Sequence, residues 1–132
     1  MTFVDSGAWF AQAVPSDPHH GAAVAWAVGN HDTLITTDYV IDETLTLFSS
    51  RGDRIKAVAF GTRIFNRTCP VVIHYLTPAE IAAAWEVFRT FVDKGWSFTD
   101  CTSKVVIETL GIPTAFAFDQ HFRQFGTVIV VP

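Results

Sequence analysis

The sequence predicts an α/β protein, a three-layer α/β/α sandwich around a five-stranded parallel sheet, and three observations carry that expectation. Five short runs rich in β-branched and aromatic residues, Thr2–Val4, Thr33–Thr36, Val71–Tyr75, Thr114–Phe118 and Thr127–Val131, are separated by segments whose apolar residues recur at helical spacing. Strand, helix and strand in alternation call for a parallel sheet covered on both faces. The runs are dense in Val, Ile and Phe, as strands buried on both sides are. At 132 residues, 49% hydrophobic and only 17% charged, the chain can bury a core of its own and is expected to form one domain, residues 1–132.

The elements follow in order. Thr2–Val4 runs into Asp5-Ser6-Gly7 and a first helix that carries Trp9 and Phe10. Ala22 and Trp26 mark a second helix within the apolar stretch Gly21–Gly29. After Thr33–Thr36, Gly52-Asp53 divides the helical region Asp38–Asn66 in two, the first half carrying Ile41, Leu45 and Phe48. Thr77-Pro78-Ala79-Glu80 then supplies a cap, a proline at the first helical position and an acid in the first turn, ahead of Ile81, Trp85, Phe88 and Val92. Ser97-Phe98-Thr99-Asp100 opens the helix of Val105, Val106, Thr109 and Leu110, which Gly111 ends before Ile112-Pro113. A short helix closing at Gly126 leads to the last strand.

Composition excludes several classes. A disordered chain would be poor in Val, Ile, Leu and Phe. The longest apolar stretches, Gly21–Gly29 and Thr127–Val131, fall well short of the about 20 residues of a membrane span, so no membrane association is expected. No basic segment followed by an apolar run opens the sequence, and the protein is expected in the cytoplasm. Cys69 and Cys101 lack metal-ligand spacing and are expected to be buried thiols. Nine Lys and Arg against thirteen Asp and Glu give a net charge of −4. Arg51, Arg54, Lys56, Arg63 and Arg67, with Asp53 the one acid among them, form a basic segment that is either a phosphate-binding face or a solvated helix surface.

In an open parallel sheet, ligands bind beyond the carboxyl ends of the strands, where the strand order reverses. Asp5 directly follows the first strand and Asp119 directly follows the fourth run. Asp100 opens the helix before that run, and Glu43 lies about one turn into the helix after the second strand. Asp5 and Asp119 would also serve as helix caps, and Asp100 stands three residues after Ser97 as in a capping box. Glu43 falls at the margin of an apolar stripe beside Val40 and Leu47, whereas Asp42 points outward. Carboxylates converging within a few ångströms raise one another's pKa unless a cation neutralises them. A hard divalent cation, Mg²⁺ or Mn²⁺, suits oxygen ligands of this kind and serves phosphoryl chemistry. The histidines are scattered; His121, two residues past Asp119, is expected at the surface rather than in the site.

Val4-Asp5-Ser6, Glu43, Ser97-Phe98-Thr99-Asp100-Cys101-Thr102-Ser103 and Phe118-Asp119-Gln120-His121-Phe122 together resemble the PIN-domain ribonucleases, specifically the VapC-type toxins of toxin–antitoxin pairs, over Thr2 to Val131. The resemblance implies a five-stranded parallel sheet between helices, and an acidic quartet of Asp5, Glu43, Asp100 and Asp119 that holds Mg²⁺ or Mn²⁺ for hydrolysis of RNA phosphodiesters. Asp5 and Asp100 would be direct ligands, with Ser6, Thr99 and Ser103 as supporting hydroxyls. It also implies a small cognate antitoxin and a homodimer. RNA would draw on Lys104 and Arg123, each about one turn past an acid, and on Arg54, Arg63 and Arg67.

Other phosphoryl-transfer and hydrolase classes fit less well. A haloacid-dehalogenase-like enzyme needs a second Asp where Gly7 stands, and a receiver domain needs a Lys after its last strand. No glycine-rich nucleotide loop and no Gly-x-Ser-x-Gly elbow is present. The alternative from another class is a PIN-like module that binds RNA or protein without cutting; retention of all four acids favours the nuclease. Trp9, Phe10, Trp26, Leu45, Leu47 and Phe48 exceed what one helix face needs and are expected to form patches that a partner covers.

Overall fold

The computed structural model describes residues 1–132. Five strands, β1 (Thr2–Val4), β2 (Leu34–Thr37), β3 (Val71–His74), β4 (Thr114–Phe116) and β5 (Ile129–Val131), form one all-parallel sheet in the order β3-β2-β1-β4-β5. Seven helices connect them: α1 (Ser6–Ala13), α2 (His20–Gly29), α3 (Asp38–Ser50), α4 (Arg54–Phe65), α5 (Pro78–Thr90), α6 (Phe98–Leu110) and α7 (Gln120–Gln124). The chain builds outward from β1 to β3, then returns to lay β4 on the other side of β1. The order therefore reverses between β1 and β4, in register at Phe3 with Ala115 and Val4 with Phe116.

Alternation along these two strands sorts the helices. Phe116 packs against Trp26 of α2 with ring centroids 4.2 Å apart, while Phe3, pointing to the opposite face, packs against Phe122 of α7 at 6.1 Å. On the first side α1 packs on α2 and α3, and α3 on α4; on the second α5 packs on α6 and α6 on α7. The predicted three-layer sandwich is the observed one.

Local chemistry sets the helix boundaries. Thr37 ends β2 and caps α3, its hydroxyl accepting from Val40 N at 3.1 Å. Asp53 does more than break a helix, since its carboxylate accepts from Lys56 N at 3.0 Å and starts α4. Thr77 and Glu80 form the expected capping box at α5, and Gly111, at φ 64°, ends α6. Strand limits differ from expectation by one residue at β2, which runs Leu34–Thr37, and at β3, which ends at His74, and by two at β4 and β5. β4 stops at Phe116, two residues early, and β5 begins at Ile129, after Gly126 at φ 74° and a turn that takes up Thr127 and Val128.

Of the six residues expected in apolar patches, Trp26, Leu45 and Leu47 are half-buried and the other three are core. Trp9, Phe10 and Phe48 are buried, because α4 lays Phe60 against both Trp9 (5.6 Å) and Phe48 (6.1 Å), and Phe10 meets Phe48 at 5.2 Å. Large apolar residues are exposed on α4 (Ile55, Val58, Phe65) and on α5 and the turn after it (Trp85, Phe88, Phe91, Val92), among others, including Val28, Tyr75 and Ile129; Trp85, Phe88, Val92 and Leu110 are ones the helical spacing placed inside. Cys69 and Cys101 are buried and unpaired, as expected. No helix is long and apolar enough to cross a membrane.

Candidate active site

The switch point fixes the first acid. As the chain leaves β1, Asp5 N donates to Phe116 O of β4 at 3.1 Å, and Asp5 O accepts from Ala8 N and Trp9 N at 3.1 Å to start α1. Asp5 stands at the cap position of α1, yet its side chain makes no capping hydrogen bond. It is 4% exposed. Burial pushes its carboxyl up to about 8; the N–H groups of Ser6 and Gly7 oppose the shift, and the charges of Glu43 and Asp100 add to it. A helix-capping role therefore does not explain Asp5.

The other three acids are tied to the same edge. Glu43, half-buried on α3, accepts a hydrogen bond from the buried hydroxyl of Ser6, so α1 and α3 are joined through two of the predicted site residues. Asp42 is exposed, as its position on the helix indicated. Asp100, 7% exposed, is at the third position of α6. Its Oδ2 accepts from Ser97 N at 3.0 Å, and its own N–H donates to Ser97 Oγ at 3.0 Å. Asp119 caps α7 by accepting from His121 N at 2.9 Å, and its side chain is 46% exposed. The capping expectation thus holds for Asp100 and Asp119, though Asp100 also bears on Asp5.

Two hydroxyls were expected to support the site from α6. Thr99 is half-buried, with its carbonyl accepting from Thr102 Oγ1 at 2.6 Å. Ser103 is fully buried, on the same helical face as Asp100, and its Oγ is the one buried side-chain polar atom without a hydrogen-bond partner.

His121 is not the surface residue expected. It is half-buried, and its Nδ1 lies 2.9 Å from Asp100 Oδ2 and 3.4 Å from Asp119 Oδ1. Of the predicted RNA contacts, Arg123 is exposed and free of ion pairs, whereas Lys104 is tied to Glu108 one turn along α6. The basic segment is not gathered at the acids. Arg54 lines a groove between α3 and α4 with Leu45 and Ser49. Arg63 O accepts from Thr68 N and Cys69 N, so Arg63 and Arg67 flank the start of β3, the amino end of the sheet. Arg51 sits over the Phe10 ring at 5.2 Å, and Lys56 pairs with Asp53 at 3.2 Å.

No three His, Cys, Asp or Glu side chains close into a cage that would hold a metal ion by themselves. The expected convergence of all four acids on one point is therefore not observed; Mg²⁺ held here would take one or two carboxylates and keep several waters. The buried, uncapped Asp5 beside two further carboxylates and the unpartnered Ser103 Oγ are the features of this edge that fit such a group.

An α/β/α sheet with a buried carboxylate at its switch point suits metal-assisted nucleases, and the chain belongs to one such family: residues 2–128 match the PIN domain. The family is a nuclease family, generally dependent on divalent metal. The 23S rRNA-specific endonuclease VapC20 of Mycobacterium tuberculosis is 32% identical over 133 residues, covering 100% of this chain and 99% of that protein. The VapC ribonuclease of Archaeoglobus fulgidus is 32% identical over 124 residues, 90% of this chain and 77% of that one. The crystal structure of VapC20, described as a sarcin–ricin loop cleaving toxin, superposes with a TM-score of 0.91 at 30% identity over the whole of both chains. PAE2754 of Pyrobaculum aerophilum shares the fold, with a TM-score of 0.60 at 20% identity over 98% of this chain and 88% of that one.

Proposed function

We propose that this VapC-type endoribonuclease hydrolyses RNA at the carboxyl edge of its sheet, with Asp5 and Asp100 as direct ligands of Mg²⁺ or Mn²⁺, and Glu43 and Asp119 completing the acidic set. The observation that carries the assignment is Asp5, a carboxylate buried at the strand-order switch, uncapped and flanked by two others. No cationic side chain pairs with that group; a divalent cation would take the place of the proton it otherwise holds at neutral pH. When bound, the cation supplies a Lewis acid for the phosphate and a water of lowered pKa.

The chain's own residues do the rest. Ser6 holds Glu43 in place through its hydroxyl, so α1 and α3 keep their acids at a fixed separation. Thr99 and Ser103 offer hydroxyls near Asp100 for water. Arg123, exposed one turn past Asp119, is the free cation best placed to meet an RNA phosphate, and Lys104 would reach RNA by exchanging Glu108 for phosphate.

Similarity along the full length to a 23S rRNA-specific endonuclease supports ribosomal RNA, at the sarcin–ricin loop, as the substrate. The same similarity supports a small antitoxin as cognate partner and a cytoplasmic site of action, by one PIN-like domain over residues 1–132. Apolar residues on α5 and the turn after it, Trp85, Phe88 and Val92, provide a face that a homodimer would cover. Incubation of the purified protein with ribosomes, with and without Mg²⁺, tests the activity; cleavage is expected only with the metal. Asp5→Ala and Asp100→Ala are each expected to abolish it, and cleavage that survives both would refute the site. RNA binding without cleavage by the intact protein would favour the non-catalytic module instead.

A further inference from the structure

We infer that His121 is a positioning residue of the nuclease site: its imidazole fixes the orientation of Asp100, so that Oδ2 is held by the protein and Oδ1 is left to meet the cation. The inference rests on the metal-site assignment above. Asp100 Oδ2 receives both hydrogen bonds that the carboxylate accepts, from Ser97 N at 3.0 Å and from His121 Nδ1 at 2.9 Å, and Oδ1 receives none. A carboxylate held by one bond from its own helix turns readily about its terminal torsion. The second bond comes from an element 21 positions away and sets that torsion.

The imidazole is itself held on a rigid support. His121 N donates to Asp119 Oδ1 at 2.9 Å, and the next residue, Phe122, is fully buried against Phe3 (6.1 Å) and Phe125 (4.8 Å). Nδ1 faces only carboxylate oxygens, of Asp100 and, at 3.4 Å, of Asp119. It therefore carries a proton and donates. Groups that orient a metal ligand in this way govern metal affinity and activity without touching the metal.

Three variants of the full chain test the role: His121→Asn, whose amide nitrogen falls near Nδ1; His121→Gln, whose amide nitrogen falls near Nε2; and His121→Ala. Mn²⁺ is titrated into each, and free Mn²⁺ is followed by electron paramagnetic resonance. His121→Gln and His121→Ala are expected to weaken Mn²⁺ binding roughly 10- to 100-fold, and His121→Asn to stay near wild type. In cleavage of ribosomal RNA, kcat is expected to fall in step while KM for the RNA holds, which a general loss of structure would not produce. If His121→Ala fails to fold, the Asn and Gln variants, of similar bulk, decide the matter. Wild-type Mn²⁺ affinity in His121→Gln, or equal losses in the Asn and Gln variants, would overturn the inference. Asp5→Ala and Asp100→Ala run alongside: Mn²⁺ binding lost in these but intact in His121→Gln overturns only the role of His121, whereas binding intact in all of them overturns the metal site as well.

Discussion

Asp5 is a local liability to the fold, relieved by a proton below about pH 8 or by a bound cation. It is 4% exposed, takes no capping bond and shares its surroundings with the charges of Glu43 and Asp100. Asp5→Asn keeps the shape, removes the cost of protonating a buried carboxyl beside Glu43 and Asp100 at neutral pH, and gives the flanking carboxylates an amide that donates to them. The variant is expected to lose cleavage while gaining about 0.5–2 kcal/mol of stability, the usual range when a costly site is relieved. Thermal melts with a chelator present check this; a variant less stable than wild type would mean that Asp5 carries a structural bond. Both the position of Asp5 and the preference for Glu43 over Asp42 were legible in the sequence, because each follows from its neighbours, a strand end in one case and a helical stripe in the other. The role of His121 was not, because its partner Asp100 stands on another helix and no periodicity connects them. The one local signal was Asp119, whose cap on His121 N fixes where the imidazole begins.

At the scale of elements, what short-range chemistry decides could be foreseen, and what packing decides could not. Thr77-Pro78-Ala79-Glu80 announced the start of α5, and the box forms, with Glu80 Oε2 also 2.8 Å from His74 Nε2 at the end of β3. Strand ends at Phe116 and Ile129, by contrast, depend on where the neighbouring strand stops, and the burial of Trp9 and Phe48 depends on α4 laying Phe60 against them, with Phe10 packed on Phe48 in turn. The α5 cap yields two predictions. Thr77→Ala is expected to cost about 1 kcal/mol, the ordinary worth of such a cap, measurable by urea unfolding. Burial tends to raise the carboxyl of Glu80, but hydrogen bonds from Thr77 and the imidazole of His74 outweigh it and hold its pKa below the usual value. An acid with a depressed folded pKa adds stability above its unfolded pKa and loses that contribution as the pH falls through the folded one. Wild type is therefore expected to lose stability below about pH 4.5 more steeply than Glu80→Gln. Parallel acid limbs in the two proteins would show that the pair adds nothing beyond the cap.

For the molecule as a whole, the question is how a chain of net charge −4 binds a polyanion. Net charge is the wrong scale for the answer, because salt screens exposed charges beyond about 8–10 Å, and RNA at the acid edge meets the charges of that edge. There Arg123 is exposed and unpaired, while Lys104 is partly neutralised by Glu108. Arg63 and Arg67, the end of the basic segment that looked like a phosphate face, flank the start of β3, and the acids follow the opposite ends of the strands. With RNA cut at the proposed acid edge, its charges favour Arg123 over the two arginines. Each phosphate contact contributes about one to the slope of log affinity against log salt. In the cleavage-silent Asp5→Asn background, Arg123→Ala is expected to weaken RNA binding and lower that slope by about one, whereas Arg63→Ala with Arg67→Ala leaves it near the parent value. Filter binding across about 50–200 mM salt measures both. If the double variant flattens the slope and Arg123→Ala does not, the RNA wraps around the amino end of the sheet, and the basic segment is its principal electrostatic contact after all.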